Sequence, residues 1–173
     1  MESKFEYTIF KTDLGHFAIV ARNENLIRTF LPGTEKQKLK TEILKLYPAA
    51  KYNPTLLKNL QQQIKDYFTG KKVNFNIDIT PAIKNLSDFS KAILKACTKI
   101  HPAQTISYRQ LANLANHPNA ARAAGTALSR NPIPLIIPCH RIIKSTGQPG
   151  NFTAPKGTTL KQKMLNLEST PLK

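Results

Sequence analysis

Ser107 to Ile143 reads SYRQLANLANHPNAARAAGTALSRNPIPLIIPCHRII, and the rest of the chain is understood outward from this run. Ser107 can cap a helix over Tyr108–Ala115, because its hydroxyl can accept from an N–H of the first turn. Asn116–Asn119 supplies a turn, and Ala120–Arg130 reads as a second short helix. Two such helices joined tightly predict a helix-turn-helix. The second helix has almost no bulk on its leading face, with Arg122 alone projecting. Alanine and glycine there let a helix lie close to a nucleic-acid backbone, and a lone arginine can enter the base stack or pair with a phosphate. Leu135–Ile137 then reads as a short buried strand broken by Pro138, which places Cys139 at the strand end with His140 and Arg141 beside it. An adjacent imidazole and cation lower a thiol's pKa toward thiolate, whereas apolar burial alone raises it. Cys139 is therefore a candidate nucleophile.

A base that takes a proton is helped by a carboxylate on its other nitrogen. Residues 81–173 hold only two carboxylates, Asp88 and Glu168. Asp88 lies where Ser87 or Asp88 caps a helix carrying Phe89, Ile93, Leu94 and Cys97. Glu168 follows the last apolar helix, Thr159–Leu167, and has no such local explanation beyond a solvated surface. Cys97 has apolar neighbours and reads as a buried small hydrophobe.

The first half reads as scaffold. FEYTIFKT, HFAIVAR and NLIRTFL alternate apolar and polar residues over 5–31 and predict a β-meander. Thr34 stands as N-cap to a helix over Glu35–Leu46, and a second helix is expected from Asn53 to Phe68, with Pro54 in its first turn and Gly70 at its end. Val73–Ile79 alternates as a further strand. The fold class is α+β. A small N-terminal α/β domain (a three-stranded antiparallel sheet plus helices) occupies 1–80, and a mostly helical C-terminal domain with the helix-turn-helix occupies 85–170.

Charge points to the partner. Lys and Arg number 26 against 10 acids, a net charge of +16. Residues 1–80 hold 13 basic and 8 acidic side chains, whereas 81–173 hold 13 and 2. So basic a second half repels itself unless an anion neutralises it, and nucleic acid is the leading candidate over a membrane surface. No leader-like or membrane-spanning apolar run is present, so a cytoplasmic, DNA-associated protein is expected. Two cysteines are too few for a disulfide framework, and their spacing to the four histidines suits no metal site.

On these residues the chain resembles the O6-alkylguanine-DNA alkyltransferase family (methylated-DNA–protein-cysteine methyltransferases) along nearly its whole length. The resemblance is carried by Ile106–Ser107–Tyr108, Ala121–Arg122–Ala123 with Gly125, Arg130–Asn131–Pro132, Ile137–Pro138–Cys139–His140–Arg141–Ile142–Ile143, and Gly150–Asn151–Phe152–Thr153. It implies that Cys139 accepts the alkyl group. His140 would act as base through an ordered water, Glu168 would align it, and Asn131 would brace the turn. Arg122 would be the finger that replaces a flipped nucleotide, with Ala121, Ala123 and Gly125 allowing close approach, and Tyr108 would assist rotation and protonate the leaving base. It further implies that carbonyls of Cys139 and Ile142 and the Thr153 amide select the base. Pro134 and the loop with Gly150, Asn151, Phe152 and Thr153 would line the pocket, and Lys161 would lie near the base. The implied partner is double-stranded DNA containing O6-alkylguanine, with O4-alkylthymine as a second substrate. No cofactor or metal is implied, and the protein would be a monomer with some cooperativity on DNA.

Phe152 stands where the family has tyrosine, and Ala154–Pro155–Lys156–Gly157 adds about two residues where it commonly has two glycines. His101–Pro102–Ala103 replaces a Pro–aromatic–Gly turn, and the first half lacks the zinc ligands of some relatives. Two other functions compete with repair. A non-catalytic lesion sensor would lack the acceptor cysteine, and a DNA-binding regulator would carry an additional DNA-binding or metal-bearing module.

Overall fold

The structure is a computed structural model and describes residues 4–169. Strands β1 (Phe5–Thr12), β2 (Gly15–Arg22) and β3 (Asn25–Phe30) form the expected antiparallel meander. A two-residue strand, β4 (Lys51–Tyr52), was not expected; it pairs parallel to β1 and makes the sheet four-stranded, in the order β3-β2-β1-β4. The meander is also buried on both faces rather than one. Tyr7, Ile9, Ala18 and Val20 meet Leu39 and Ile43 of helix α1 (Lys36–Leu46). Phe10, Phe17, Ile19 and Ala21 meet Leu60, Ile64 and Phe68 of α2 (Lys58–Phe68) and continue into the core of the helical half. Both helices start later than expected. Glu35, not Thr34, stands at the N-cap of α1 and makes no side-chain cap bond. Residues 54–57 form a turn instead of helix, with Leu57 at φ 48° and Gln61 donating to the carbonyls of Pro54 and Leu56.

Val73–Ile79 is not a strand. It lies outside any ladder, yet its odd residues are half-buried against the core while the even ones are exposed. The alternation thus reports one-sided burial of an extended connection. A one-turn helix, α3 (Thr80–Ile83), follows, with proline in its first turn.

The second half is built from α4 (Asp88–Cys97), α5 (Tyr108–Leu114), α6 (Ala121–Ser129) and α7 (Gly157–Ser169). Ser87 caps α4, and Ser107 with Gln110 forms a reciprocal capping box on α5. α5 packs on α6 and α4. Asn116 and Asn119 take φ 61° and 67° in the turn between α5 and α6, where asparagine tolerates the left-handed region. A second small sheet pairs β5 (Ile106–Ser107) in parallel with β6 (Ile142–Ile143). This pairing fixes the start of α5 beside the residues that follow Cys139. Among the described residues no helix is long and apolar enough to cross a membrane.

Candidate active site

Leu135–Ile137 does not form the expected strand. Pro132, Pro134 and Pro138 withhold three N–H groups from any ladder, and the segment turns tightly with Leu135 at φ 80°. Such a conformation is costly for a branched residue and persists only where its surroundings impose it. Asn131 imposes much of it. Its Oδ1 accepts from the Ile133 N–H at 3.1 Å and its Nδ2 donates to the Ile137 carbonyl at 2.9 Å. The same Nδ2 lies 3.2 Å from Cys139 Sγ. From the other side β3 holds the loop: the Thr29 N–H donates to the Pro132 carbonyl at 3.1 Å and its hydroxyl to the Pro134 carbonyl at 2.7 Å. Cys139, His140 and Arg141 then make a single 3-10 turn.

His140 is fully buried, and its Nε2 lies 2.7 Å from Glu168 Oε1. Arg141 turns away from the sulfur, donating to both Glu168 oxygens and through Nη1 to the Ile100 carbonyl. Lys161, Met164 and Glu168 fall at helical spacing on α7, with the first two fully buried. An acid in the last turn of a helix opposes the helix dipole, so Glu168 owes its place to these partners. Burial works against its ionisation, but the bonds and charges of His140 and Arg141 prevail and hold its carboxyl at about 2. Burial pushes His140 below its ordinary value against the pull of Glu168. A neutral imidazole beside an ionised carboxylate carries its proton on Nε2. That leaves Nδ1 as the acceptor, and it is the one buried side-chain nitrogen or oxygen among the described residues with no partner.

Cys139 does not gain the activation expected from its sequence neighbours. Burial raises its thiol pKa; the Asn131 amide, the Lys161 charge and the backbone N–H groups of Cys139 and His140 oppose this without overcoming it. Arg141 is engaged elsewhere, and the resting sulfur is a thiol.

Two cavities meet at Cys139. One, of about 600 Å³, is walled by Tyr108, by Ala121, Arg122 and Gly125 of α6, and by Gly150, Asn151, Phe152 and Thr153. The other, of about 280 Å³, runs behind the sulfur between Asn131, Pro134, Phe152–Pro155 and the first-half residues Arg28, Phe30 and Leu39. Tyr108 sits in a slot between two glycines. A Cβ at Gly150 would overlap its hydroxyl and come within 2.9 Å of its ring, and one at Gly125 would touch the ring at 3.6 Å. Arg122 and Ala123 are exposed on α6. Ile142 is buried behind the turn, where its carbonyl accepts from Lys161 Nζ; that ammonium also lies 5.7 Å from the Phe152 ring centroid. The added residues Pro155 and Lys156 close on Gly33, where a Cβ would meet them at 3.1 and 3.2 Å.

The geometry thus brings Cys139, His140, Asn131, Glu168 and Tyr108 to one place, and adds Tyr67 of α2. Its hydroxyl donates to Glu168 Oε1 at 3.0 Å. Tyr67 belongs to the half that reads as scaffold from its sequence, and nothing in its immediate neighbours marks it as part of a site. The available signal was a tyrosine on the apolar stripe of α2, since a buried phenol seeks a polar partner.

Comparison with known proteins places both halves of the chain in one family. The family described as 6-O-methylguanine DNA methyltransferase matches twice, its ribonuclease-like domain over residues 6–81 and its DNA binding domain over 88–170. The Methanosarcina barkeri protein named methylated-DNA–protein-cysteine methyltransferase is 29% identical over 168 residues, covering 96% of this chain and 99% of its own. Its namesake from Methanosarcina mazei is 33% identical over 121 residues, 70% of this chain and 73% of that one. In fold, the crystal structure of the Mycobacterium tuberculosis O6-methylguanine methyltransferase superposes with a TM-score of 0.75 at 24% identity, covering 98% of this chain and 96% of that one. The crystal structure of Mycobacterium tuberculosis OGT in complex with DNA gives 0.74 at 24% identity, over 94% and 92%. With both domains matched in order and a relative above 30% identity across most of its length, this chain belongs to the 6-O-methylguanine DNA methyltransferase family.

Proposed function

We propose that this protein repairs DNA by moving the alkyl group of O6-alkylguanine irreversibly onto its own Cys139, once per molecule. The observation that carries the reading is the position of Cys139 Sγ. It closes a cavity whose other walls are the small-residue face of α6, Tyr108 and the 150–153 loop, and a buried His–Glu pair stands behind it. O4-alkylthymine is a second substrate of the same pocket.

The helical half, residues 85–170, binds the duplex, with the first half, residues 1–80, supporting it. α6 enters the minor groove, where small side chains permit contact, and Arg122 fills the space of the flipped nucleotide. The base enters the larger cavity. Carbonyls of Cys139 and Ile142 accept from its exocyclic amine, the second lone pair of Ile142 serving Lys161. The Thr153 amide donates to the alkylated oxygen, and Phe152 stacks on the ring. The far end of the alkyl group passes toward Pro134 and the smaller cavity. An ordered water carries the thiol proton from Cys139 to His140 Nδ1, and Glu168 stabilises the resulting imidazolium. The thiolate attacks the alkyl carbon, the carbon–oxygen bond breaks, and its electron pair stays on the base oxygen. Tyr108 gives its proton to ring nitrogen 3 and recovers one from His140 through solvent. Guanine leaves neutral and the sulfur is left as a thioether, which thiol exchange does not reverse. Neither a metal nor a cofactor is required, because the nucleophile is sulfur and the leaving group departs protonated. The protein acts as a monomer that loads cooperatively on DNA in the cytoplasm.

The test is a duplex with one O6-methylguanine, incubated with limiting protein and digested to nucleosides. Restored guanine should rise to one equivalent per protein and stop. Binding without restoration would make the protein a lesion sensor and contradict the proposal.

A further inference from the structure

We infer that Tyr67, from the N-terminal half, is a positioning residue for the transfer site: its hydroxyl holds the Glu168 carboxylate so that His140 keeps its proton on Nε2 and leaves Nδ1 bare as the acceptor. The role rests on the alkyl-transfer reading for its rate consequence, but not for its effect on the imidazole.

The geometry is specific. Tyr67 is 4% exposed, and its hydroxyl lies 3.0 Å from Glu168 Oε1, 3.3 Å from His140 Nε2 and 3.5 Å from the Met164 carbonyl. Oε1 thus meets donors from three residues on two segments: Tyr67 of α2, and, from the 3-10 turn, His140 at 2.7 Å and Arg141 through Nη2 at 2.8 Å and Nε at 3.2 Å. Oε2 takes Arg141 Nε at 3.0 Å and the Ala103 N–H at 3.3 Å. The phenol cannot drift, because Phe68 packs edge-on at 5.1 Å and Phe75 lies at 6.2 Å. Nor can it ionise in use, because burial and the facing Glu168 push its pKa well above the phenol's ordinary 10. It is a permanent donor.

Each donor on a carboxylate lowers that group's remaining basicity. With Tyr67 in place, Glu168 orients the imidazole without drawing a proton onto it prematurely. Without the hydroxyl, the carboxylate would pull harder on Nε2–H and favour the imidazolium, which cannot accept from Cys139. The other titratable groups facing His140 are Arg141 in its own turn and Lys161 on α7, both disfavouring protonation, and the neutral Cys139 thiol next to it in the chain. Arg141 already donates to Oε1, so it does not make up for a lost Tyr67 hydroxyl.

Y67F keeps the ring and removes only the hydroxyl. Single-turnover transfer at neutral pH should slow by about fivefold, the equivalent of one ordinary hydrogen bond. The acid limb of its pH–rate profile should move up by about half a unit to one unit, with duplex affinity unchanged. In an E168Q background the same change should have no further effect on rate. A Y67F profile that overlays the wild type, or an equal loss in the E168Q background, would overturn the inference. Histidine-labelled NMR of the unreacted protein supplies a readout independent of repair. His140 should show the Nε2–H tautomer in the wild type and a raised titration midpoint in Y67F. Identical tautomer and midpoint in both would overturn the inference even if no alkyl transfer occurred at all.

Discussion

The two cysteines make an internal experiment. Cys97, in the last turn of α4, and Cys139, opening the 3-10 turn, are both buried in the same core, and burial raises both thiol pKa values. They differ in what surrounds the sulfur. Cys97 is packed in a helix among Ile93, Leu94 and Ala96 and lines neither cavity at the site. Cys139 faces both cavities and has the Asn131 amide at 3.2 Å. On the proposed reaction, Cys139 is distinguished as nucleophile by access and by donors that wait for the anion, not by a low resting pKa. The proposed reaction then needs the thiolate only when the base occupies the cavity and the His140–Glu168 pair can receive the proton.

Removing the donors should collapse the difference between the two sulfurs. Asn131→Ala deletes the amide at Sγ and both ties across the 131–137 turn, so single-turnover transfer should fall by about a hundredfold, with about 2–3 kcal/mol lost in denaturant unfolding. A rate within threefold of wild type would mean that the turn holds itself. The second expectation concerns acid. The Glu168 carboxyl sits at about 2 in the fold against an ordinary 4.5, so the unfolded chain takes up that proton first and stability drains away as pH falls from 4.5 toward 2. His140 adds a decline of the same sign that begins below its ordinary 6.5. Denaturant titrations across this range should show both segments, and E168Q should lose the lower one. An E168Q curve parallel to wild type would remove the carboxylate from its assigned pairing. Smallest of all should be Cys97→Ala. It costs about 1–2 kcal/mol as a core truncation, with the transfer rate unchanged within twofold. A marked rate loss would make the second sulfur part of the site.

The same contrast explains what the sequence disclosed. Ser107 and Gln110 announce their capping box by spacing, and the helix-turn-helix follows from local chemistry. Cys139, Asn131 and Tyr108 stand in a run dense enough to betray a site. Glu168 was conspicuous as a carboxylate without a local reason. What stayed hidden depended on distant pairing. β5 and β6 are two residues each, too short for any periodicity, yet they bring Tyr108 to Cys139. Leu135–Ile137 looks like a strand until its flanking prolines are counted as missing donors. Val73–Ile79 shows true alternation without a neighbour to pair with. Thr29 and Tyr67 read as ordinary sheet and helix residues, and only the packing of the two halves shows that they grip the Pro134 carbonyl and Glu168.

The central claim is that one of two buried sulfurs takes the alkyl group, and peptide mass reports it directly. After reaction with an O6-methylguanine duplex and proteolysis, the peptide holding Cys139 should be about 14 Da heavier, the mass of an added CH₂. The Cys97 peptide should be unchanged, in wild type and in Tyr67→Phe alike. A methyl found on Cys97, or on neither cysteine while guanine is restored, would contradict the account.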